Sequence, residues 1–283
     1  MNMDRVILDE IILNALREDI GSGDVTTNAT IAEDTMARGR FIAKEDGVIC
    51  GLGVCGRVFG ILDGEAEFSA FKKDGEAVGA GEVFAEISGK AKTLLVGERT
   101  AINLLQRMSG IATMTAAAVA KVKGTKAKIA DTRKTTPGLR VLEKYAVTAG
   151  GGVNHRFNLS DGILIKDNHI AAAGGVANAI GLARANAPHT LKIEVECETL
   201  EDVGEALAAG ADIIMLDNMP NADMKKAVEL IGKRAMTEAS GNMGDKDLAE
   251  VAATGVDIIS IGALTHSAKS LDISLKFDIC KVM

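Results

Sequence analysis

The sequence predicts an α/β protein: an incomplete α/β barrel of about six parallel strands, joined to a smaller N-terminal α+β domain. Three observations lead there. Strand-like segments begin at Leu191, Ile213, Ala235 and Asp257, 22 residues apart, with helical patterns between them. Such alternation implies right-handed βαβ units and a parallel sheet. Residues 38–88 change to short strands parted by Asp-Gly turns, which marks a separate sheet-rich domain. No glycine-rich dinucleotide fingerprint follows any strand, which disfavours the runner-up, a doubly wound sheet. The expected division is 1–108 for the small domain, rejoined by a C-terminal strand at 271–283, and 109–270 for the barrel.

Taken in order, residues 4–19 form an amphipathic helix with Leu8, Ile11, Ile12, Ala15 and Leu16 on one face. Gly21-Ser22-Gly23 stops it, and Asp24–Thr27 reads as a turn. Strands follow at Arg40–Ala43, Val48–Cys50, Glu67–Phe71 and Val83–Ile87. Thr93 opens a long helix with Leu94, Leu95, Ala101, Leu104, Leu105 and Met108 as its apolar positions, interrupted at Gly110 or Gly124. Arg99 on this helix reads as a solvated or salt-bridged side chain. Barrel strands then begin at Lys128, Ile163, Leu191, Ile213, Ala235 and Asp257, with helices near 138–149, 176–187, 199–209, 221–231 and 245–253. The tail alternates Ile273, Leu275, Phe277 and Ile279 with Ser274, Lys276 and Asp278. That is the pattern of a half-buried antiparallel strand, which can return to the small sheet.

The 283 residues carry a formal net charge of −7, with no Trp and one Tyr. An acidic chain poor in aromatic rings is unsuited to nucleic acid, whose phosphates call for basic surface and whose bases call for stacking platforms. No apolar run approaches a membrane span, and no signal-peptide pattern opens the chain. The expectation is a soluble cytoplasmic protein. Cys50, Cys55, Cys197 and Cys280 lack C-x-x-C spacing, so they read as buried free thiols rather than a zinc site.

Against this acidic background, residues 131–170 hold six Lys/Arg against four Asp/Glu. Arg133, Lys134, His155, Arg156 and Lys166 supply donors for a small anion, and Gly150-Gly151-Gly152 permits a tight backbone path among them. In α/β barrels ligands sit at the C-terminal strand ends. Here those ends read Asp131-Thr132-Arg133-Lys134, Lys166-Asp167-Asn168, Glu194 with Glu196, Asp217-Asn218, Glu238 through Asn242, and Ile261-Gly262-Ala263 with His266 behind. Ser240-Gly241-Asn242 and Ile261-Gly262-Ala263 fit a phosphate, because glycine lets backbone N–H groups approach it. Glu196 and Asp217 can hold a hard divalent cation, directly or through water. Glu194 reads as neutralising Lys192 or Lys166. No nucleophile stands out, although His266 can approach Ser240 in space. Lys166 among cations suits an imine, and the same set suits a dicarboxylate.

The strings ALREDIGSGDVTT, GERTAINLLQRMSGIAT, DTRKTTPGLRVLEKYAVTAGGGVNHRFNLSDGILIKDNH, EVE, IIMLDNM, EASGN and IGALTHS together resemble the quinolinate phosphoribosyltransferase family, the carboxylating nicotinate-nucleotide pyrophosphorylases of the type II phosphoribosyltransferases. The resemblance runs from about residue 10 to 275 in the family's order. It implies decarboxylating phosphoribosyl transfer from phosphoribosyl pyrophosphate to quinolinate, with Mg²⁺, giving nicotinate mononucleotide, CO₂ and pyrophosphate in NAD biosynthesis. It also implies a homodimer in which Arg99 reaches the partner's site, with further assembly to a hexamer open. By position, Arg133, His155, Arg156 and Lys166 would bind the two carboxylates, and Lys134 the pyrophosphate or quinolinate. Glu196 and Asp217 would face ribose and Mg²⁺, while Ser240, Gly241, Gly262 and His266 would surround the 5′-phosphate. Thr132, Asn242, Ile261 and Ala263 belong to the same strand ends, and Asn242 stands where many members carry glycine. Lys134, Lys166, Glu196 and Asp217 are the candidates nearest the chemistry. A paralogue acting on another pyridine base, a lysine-imine barrel aldolase and a non-enzymatic phosphate-binding protein stay open as alternatives.

Overall fold

The computed structural model describes residues 5–280, and of Ile279 and Cys280 only the backbone. Position 4 of the first expected helix and the Ile279 side chain of the last strand's pattern therefore lie outside the described residues. The elements run α1 (Arg5–Ile20), α2 (Val25–Thr30), β1 (Met36–Ala43), β2 (Gly47–Val48), α3 (Leu52–Leu62), β3 (Glu67–Ala70), β4 (Ala77–Val78), β5 (Val83–Lys90) and α4 (Ala91–Lys121). Then come β6 (Lys128–Ala130), α5 (Arg140–Ala149), β7 (Ile163–Ile165), α6 (Asp167–Ala173), α7 (Val176–Asn186), β8 (Ile193–Cys197) and α8 (Leu200–Ala208). The chain ends with β9 (Ile213–Asp217), α9 (Asn221–Ile231), β10 (Met236–Ser240), α10 (Leu248–Ala253), β11 (Ile258–Ser260), α11 (Ala263–His266) and β12 (Ile273–Cys280).

The chain divides into two compact units. The first comprises Met1–Ala116, Thr136–Gly151 and Ala268–Met283; the second comprises Ala117–Thr135 and Gly152–Ser267. The boundary expected at 108/109 falls inside α4, which runs unbroken from Ala91 to Lys121. Gly110 does not interrupt that helix. A Cβ at Gly110 would lie 2.0 Å from the carbonyl oxygen of Lys269, so the missing side chain serves a close backbone approach instead.

The first unit is built on an antiparallel sheet ordered β12-β1-β5-β3. β1 alternates buried and exposed residues as a sheet with one solvated face requires. β12 runs beside it, with Phe41 opposite Leu275. Phe41, Phe59, Phe68 and Phe84 form the aromatic centre, with ring centroids 5.7 to 6.5 Å from Phe41. Phe59 and Phe68 meet Phe41 edge-on, an arrangement the ring quadrupoles favour, and Phe84 is tilted against it. Two short helices were not expected from pattern. Asp24, read as part of a turn, instead caps α2 through its carboxylate, which accepts from Thr27 N at 2.9 Å. α3 is apolar nearly all round, so it lacks the periodic signal of an amphipathic helix.

α5 also belongs to the first unit. Glu143 on it is fully buried and accepts from Arg107 Nε (3.0 Å), Arg107 Nη2 (2.8 Å) and Thr136 N (3.0 Å). A buried carboxylate needs this degree of pairing to offset its desolvation.

The second unit is a six-stranded parallel sheet ordered β6-β11-β10-β9-β8-β7. It is an incomplete barrel in which β6 and β7 are the outer strands, and Val153 extends the β6 side by a parallel bridge to Ala130. Helices start where caps allow. Thr199 and Asp202 form a capping box for α8, and Asp247 accepts from Ala249 N and Glu250 N, which sets the start of α10 later than the expected 245. α6, unanticipated, begins directly after Lys166. Among the described residues no helix is long and apolar enough to cross a membrane. Cys50, Cys55 and Cys197 are buried free thiols. Burial alone raises the Cys55 thiol well above its ordinary value, the state of an inert core residue.

Candidate active site

Strand register builds the site in layers. Side chains two apart on a strand share a face, so Glu194 and Glu196 on β8 point inward together, as do Glu238 and Ser240 on β10. In the parallel ladder Glu196 lies beside Met215, which lies beside Glu238. One residue pair higher, Asp217 lies beside Ser240. Glu196, Met215, Asp217, Glu238 and Ser240 line a cavity of about 500 Å³ at the C-terminal strand ends. Thr132, Arg133, Lys134, His155, Arg156, Lys166, Glu196, Asp217, Ser240, Gly241 and Asn242 line it, as the sequence led one to expect, together with Leu164, Met215, Asn218, Glu238 and Ser260.

The remaining candidates lie elsewhere. Gly262 is adjacent, since a Cβ there would meet Lys134 Cδ at 3.0 Å and His266 Cδ2 at 3.2 Å. Ile261 is buried, and Ala263 faces Gly244. His266 bonds Ser267 Oγ at 2.6 Å, and among the described residues it forms no pair with Ser240. Arg99 is exposed on α4 in the other unit.

Two loops are shaped for close approach. Gly241 has φ +93°, and a Cβ on it would lie 2.2 Å from Asn218 Oδ1 and 2.7 Å from Asn218 N. Among the described residues, Asn218 (φ 55°) and Asn242 (φ 50°) are the two non-glycine residues with positive φ. Asparagine tolerates that region through local hydrogen bonding, which explains how Asn242 serves at a glycine-favouring position. Lys134 is tied down by its carbonyl, which accepts from Thr265 Oγ1 at 2.8 Å.

The charges are arranged unevenly. Lys166 forms an ion pair with Glu196, so Glu194 does not neutralise it. That carboxylate also removes the all-cationic surroundings that an imine-forming lysine would need. Arg156 donates through Nη1 to the carbonyl of Gly162 at 2.8 Å, and among the described residues it makes no ion pair. Burial first, then the neighbouring Arg133, push its guanidinium below the ordinary value. Two crowded guanidinium groups of this kind are stabilised by an anion between them. Asp217 Oδ2 accepts from Asn218 Nδ2 at 2.7 Å.

His155 lines the cavity and also has buried partners that the sequence reading did not foresee. Its Nδ1 accepts from the backbone N–H of Arg156 at 2.8 Å. A backbone N–H can only donate, so the ring proton of the neutral imidazole sits on Nε2. Nε2 lies 3.1 Å from Glu194 Oε2 and 3.6 Å from Glu238 Oε1. Glu194 is 5% exposed and Glu238 3%. Burial, followed by the charge of Glu194, pushes Glu238 up to about 7, partly offset by His155 and a hydrogen bond from Ser260. The three side chains have the spacing of a metal cluster. A protonated Nε2 has no lone pair to offer, so His155 and Glu194 form a hydrogen-bonded pair with Glu238 beside it. Sequence pattern could signal the inward direction of Glu194 and Glu238, but not their shared partner.

The family description "Quinolinate phosphoribosyl transferase, N-terminal domain" matches residues 24–109, and its C-terminal domain matches residues 111–276. A probable nicotinate-nucleotide pyrophosphorylase [carboxylating] of Bacillus subtilis is 48% identical over 273 residues, covering 96% of this chain and 94% of that one. The Mycobacterium leprae nicotinate-nucleotide pyrophosphorylase [carboxylating] is 46% identical, covering 94% and 95%. The crystal structure of NadC from Streptococcus pyogenes superposes with a TM-score of 0.93 at 47% identity, covering 99% of this chain and all of that one. Strand order, cavity lining and these matches over nearly the whole length agree: the chain belongs to the quinolinate phosphoribosyltransferase family.

Proposed function

We propose that this protein transfers the phosphoribosyl group of phosphoribosyl pyrophosphate to quinolinate with loss of CO₂, giving nicotinate mononucleotide and pyrophosphate. The supporting observation is a single cavity that gathers Arg133, Lys134, Arg156 and Lys166 beside Glu196, Asp217 and the Ser240-Gly241-Asn242 loop. The cations match a dicarboxylate next to a polyphosphate, and the open glycine loop matches a sugar phosphate.

The chemistry needs no protein nucleophile. The quinolinate ring nitrogen bonds to ribose C1 as the C1–oxygen bond to pyrophosphate breaks, with positive charge building on the sugar ring. Arg133, Arg156 and Lys166 hold the two carboxylates and offset the repulsion between the two anions, which is large in a desolvated pocket. Lys134 neutralises charge on the departing pyrophosphate. Glu196 and Asp217 face the ribose, where carboxylates favour a cation-like centre. The ring nitrogen is then a pyridinium. Its positive charge stabilises the electron pair left on the adjacent carbon when the C–CO₂ bond breaks, and a proton then takes the place of CO₂ on that carbon. Burial of that carboxylate away from water assists its loss. Orientation and preorganised charge therefore carry the rate.

Glu196 and Asp217 fit a hard cation, since both offer carboxylate oxygens at the cavity wall. Mg²⁺ held there, directly or through water, would neutralise the pyrophosphate oxygens. A homodimer in which the exposed Arg99 completes the partner's carboxylate site belongs to the same proposal. The test is incubation with Mg²⁺, phosphoribosyl pyrophosphate and quinolinate, with nicotinate as control base. Nicotinate mononucleotide and CO₂ from quinolinate alone are expected; turnover of nicotinate instead, or of neither base, refutes the assignment.

A further inference from the structure

We propose that Glu194 and Glu238 are positioning residues for substrate: together they fix the His155 ring, and through its Nδ1 the backbone of Arg156, at the carboxylate-binding end of the cavity. The proposal rests on the activity assigned above. Residues 154–162 form no helix or strand, so the ladder bonds that hold the neighbouring strand ends are missing where Arg156 sits. Side-chain anchors take their place. Asp131 Oδ1 accepts from His155 N at 2.9 Å. Nδ1 of the ring accepts from Arg156 N at 2.8 Å. The Nε2 proton of the ring then needs a buried acceptor, and Glu194 Oε2 lies 3.1 Å away.

Glu238 stands near the same nitrogen. Its Oε1 has no hydrogen-bond partner and lies 3.6 Å from His155 Nε2. Two acids buried inside the barrel are a poor way to gain stability, because well-packed apolar side chains there are often as good or better. Their value is directional. Glu194 accepts from Nε2 at 3.1 Å and Glu238 Oε1 stands 3.6 Å from it, so a turned ring would lose its acceptor in a buried site. The ring stays where Nδ1 meets the Arg156 N–H, and the guanidinium of Arg156 stays in the cavity.

Steady-state kinetics of Glu194→Leu, Glu194→Gln and His155→Asn test this. Glu194→Leu removes the acceptor. The quinolinate KM is expected to rise on the order of tenfold to a hundredfold, as small misplacements of a binding group do, with the phosphoribosyl pyrophosphate KM within about twofold. Glu194→Gln keeps an oxygen acceptor and is expected within about threefold of wild type. In a His155→Asn background Glu194→Leu adds nothing further, since residues acting through one another are not additive. An unchanged quinolinate KM in Glu194→Leu, an equal rise in both KM values, or additive effects in the double variant overturns the proposal. Should Glu194→Leu not fold, an unchanged quinolinate KM in His155→Asn overturns it equally. Wild-type protein that makes no nicotinate mononucleotide refutes the assigned activity rather than this inference.

Discussion

Replacing Glu238 by glutamine removes a carboxyl group that folding makes harder to ionise. Burial and the charge of Glu194 raise it from 4.5 to about 7. At roughly 1.4 kcal/mol per pH unit, that rise amounts to about 3 kcal/mol. Below the unfolded value the group is protonated in both states and costs nothing. As pH climbs from the unfolded value through the folded one, the unfolded chain ionises freely while the native state resists, so stability is lost with rising pH. Glutamine keeps the shape and an acceptor for the Ser260 hydroxyl but does not titrate. The assay is urea unfolding of wild type and Glu238→Gln at about pH 5 and about pH 8, followed by far-ultraviolet circular dichroism. Taking the difference between the proteins cancels the titrating groups that do not interact with Glu238. The variant is expected to gain on wild type by about 2 to 3 kcal/mol between those two conditions. Parallel pH profiles would show that Glu238 ionises as easily in the native protein as in the unfolded chain, and would refute the description of its surroundings.

Arg156→Ala should weaken quinolinate binding by about 2 kcal/mol or more, the worth of a charge-assisted pair, while leaving the unfolding transition in place; calorimetric titration at wild-type affinity would contradict it. Gly241→Ala places a Cβ 2.7 Å from the backbone nitrogen of Asn218 at φ +93°. The loop must shift, so the KM for phosphoribosyl pyrophosphate should rise and stability fall by about 1 to 3 kcal/mol. Glu143→Ala strips Arg107 and the Thr136 N–H of a shared buried acceptor. A loss of about 3 to 5 kcal/mol is expected in chemical denaturation, and a change under about 1 kcal/mol would show that pairing to be dispensable.

Much of the second unit is legible along the chain. The six barrel strands begin within two residues of the positions that hydrophobic pattern marks, because each strand is a short apolar run whose neighbours are helices of regular length. The cationic residues at the strand ends are equally legible, since a barrel sends all such ends to one face. The first unit reads less well. β4 is two residues long, and α3 carries apolar side chains around its circumference, so neither leaves a period to detect.

His155, Glu194 and Glu238 stand far apart in sequence and meet only because β8 and β10 turn the same face inward in a particular register. Lys166 and Glu196 find each other across adjacent strands in the same way. Their distance from one another is a property of strand order, which no local pattern records. The division of the chain is of this kind too: α5 follows a barrel strand, yet it packs with the first unit around Glu143 and Arg107. Periodicity reports which face of an element is apolar, and residue type reports what a side chain can bond. Which partner it meets depends on contacts between residues tens of positions apart, and those exist only once the strands have assembled.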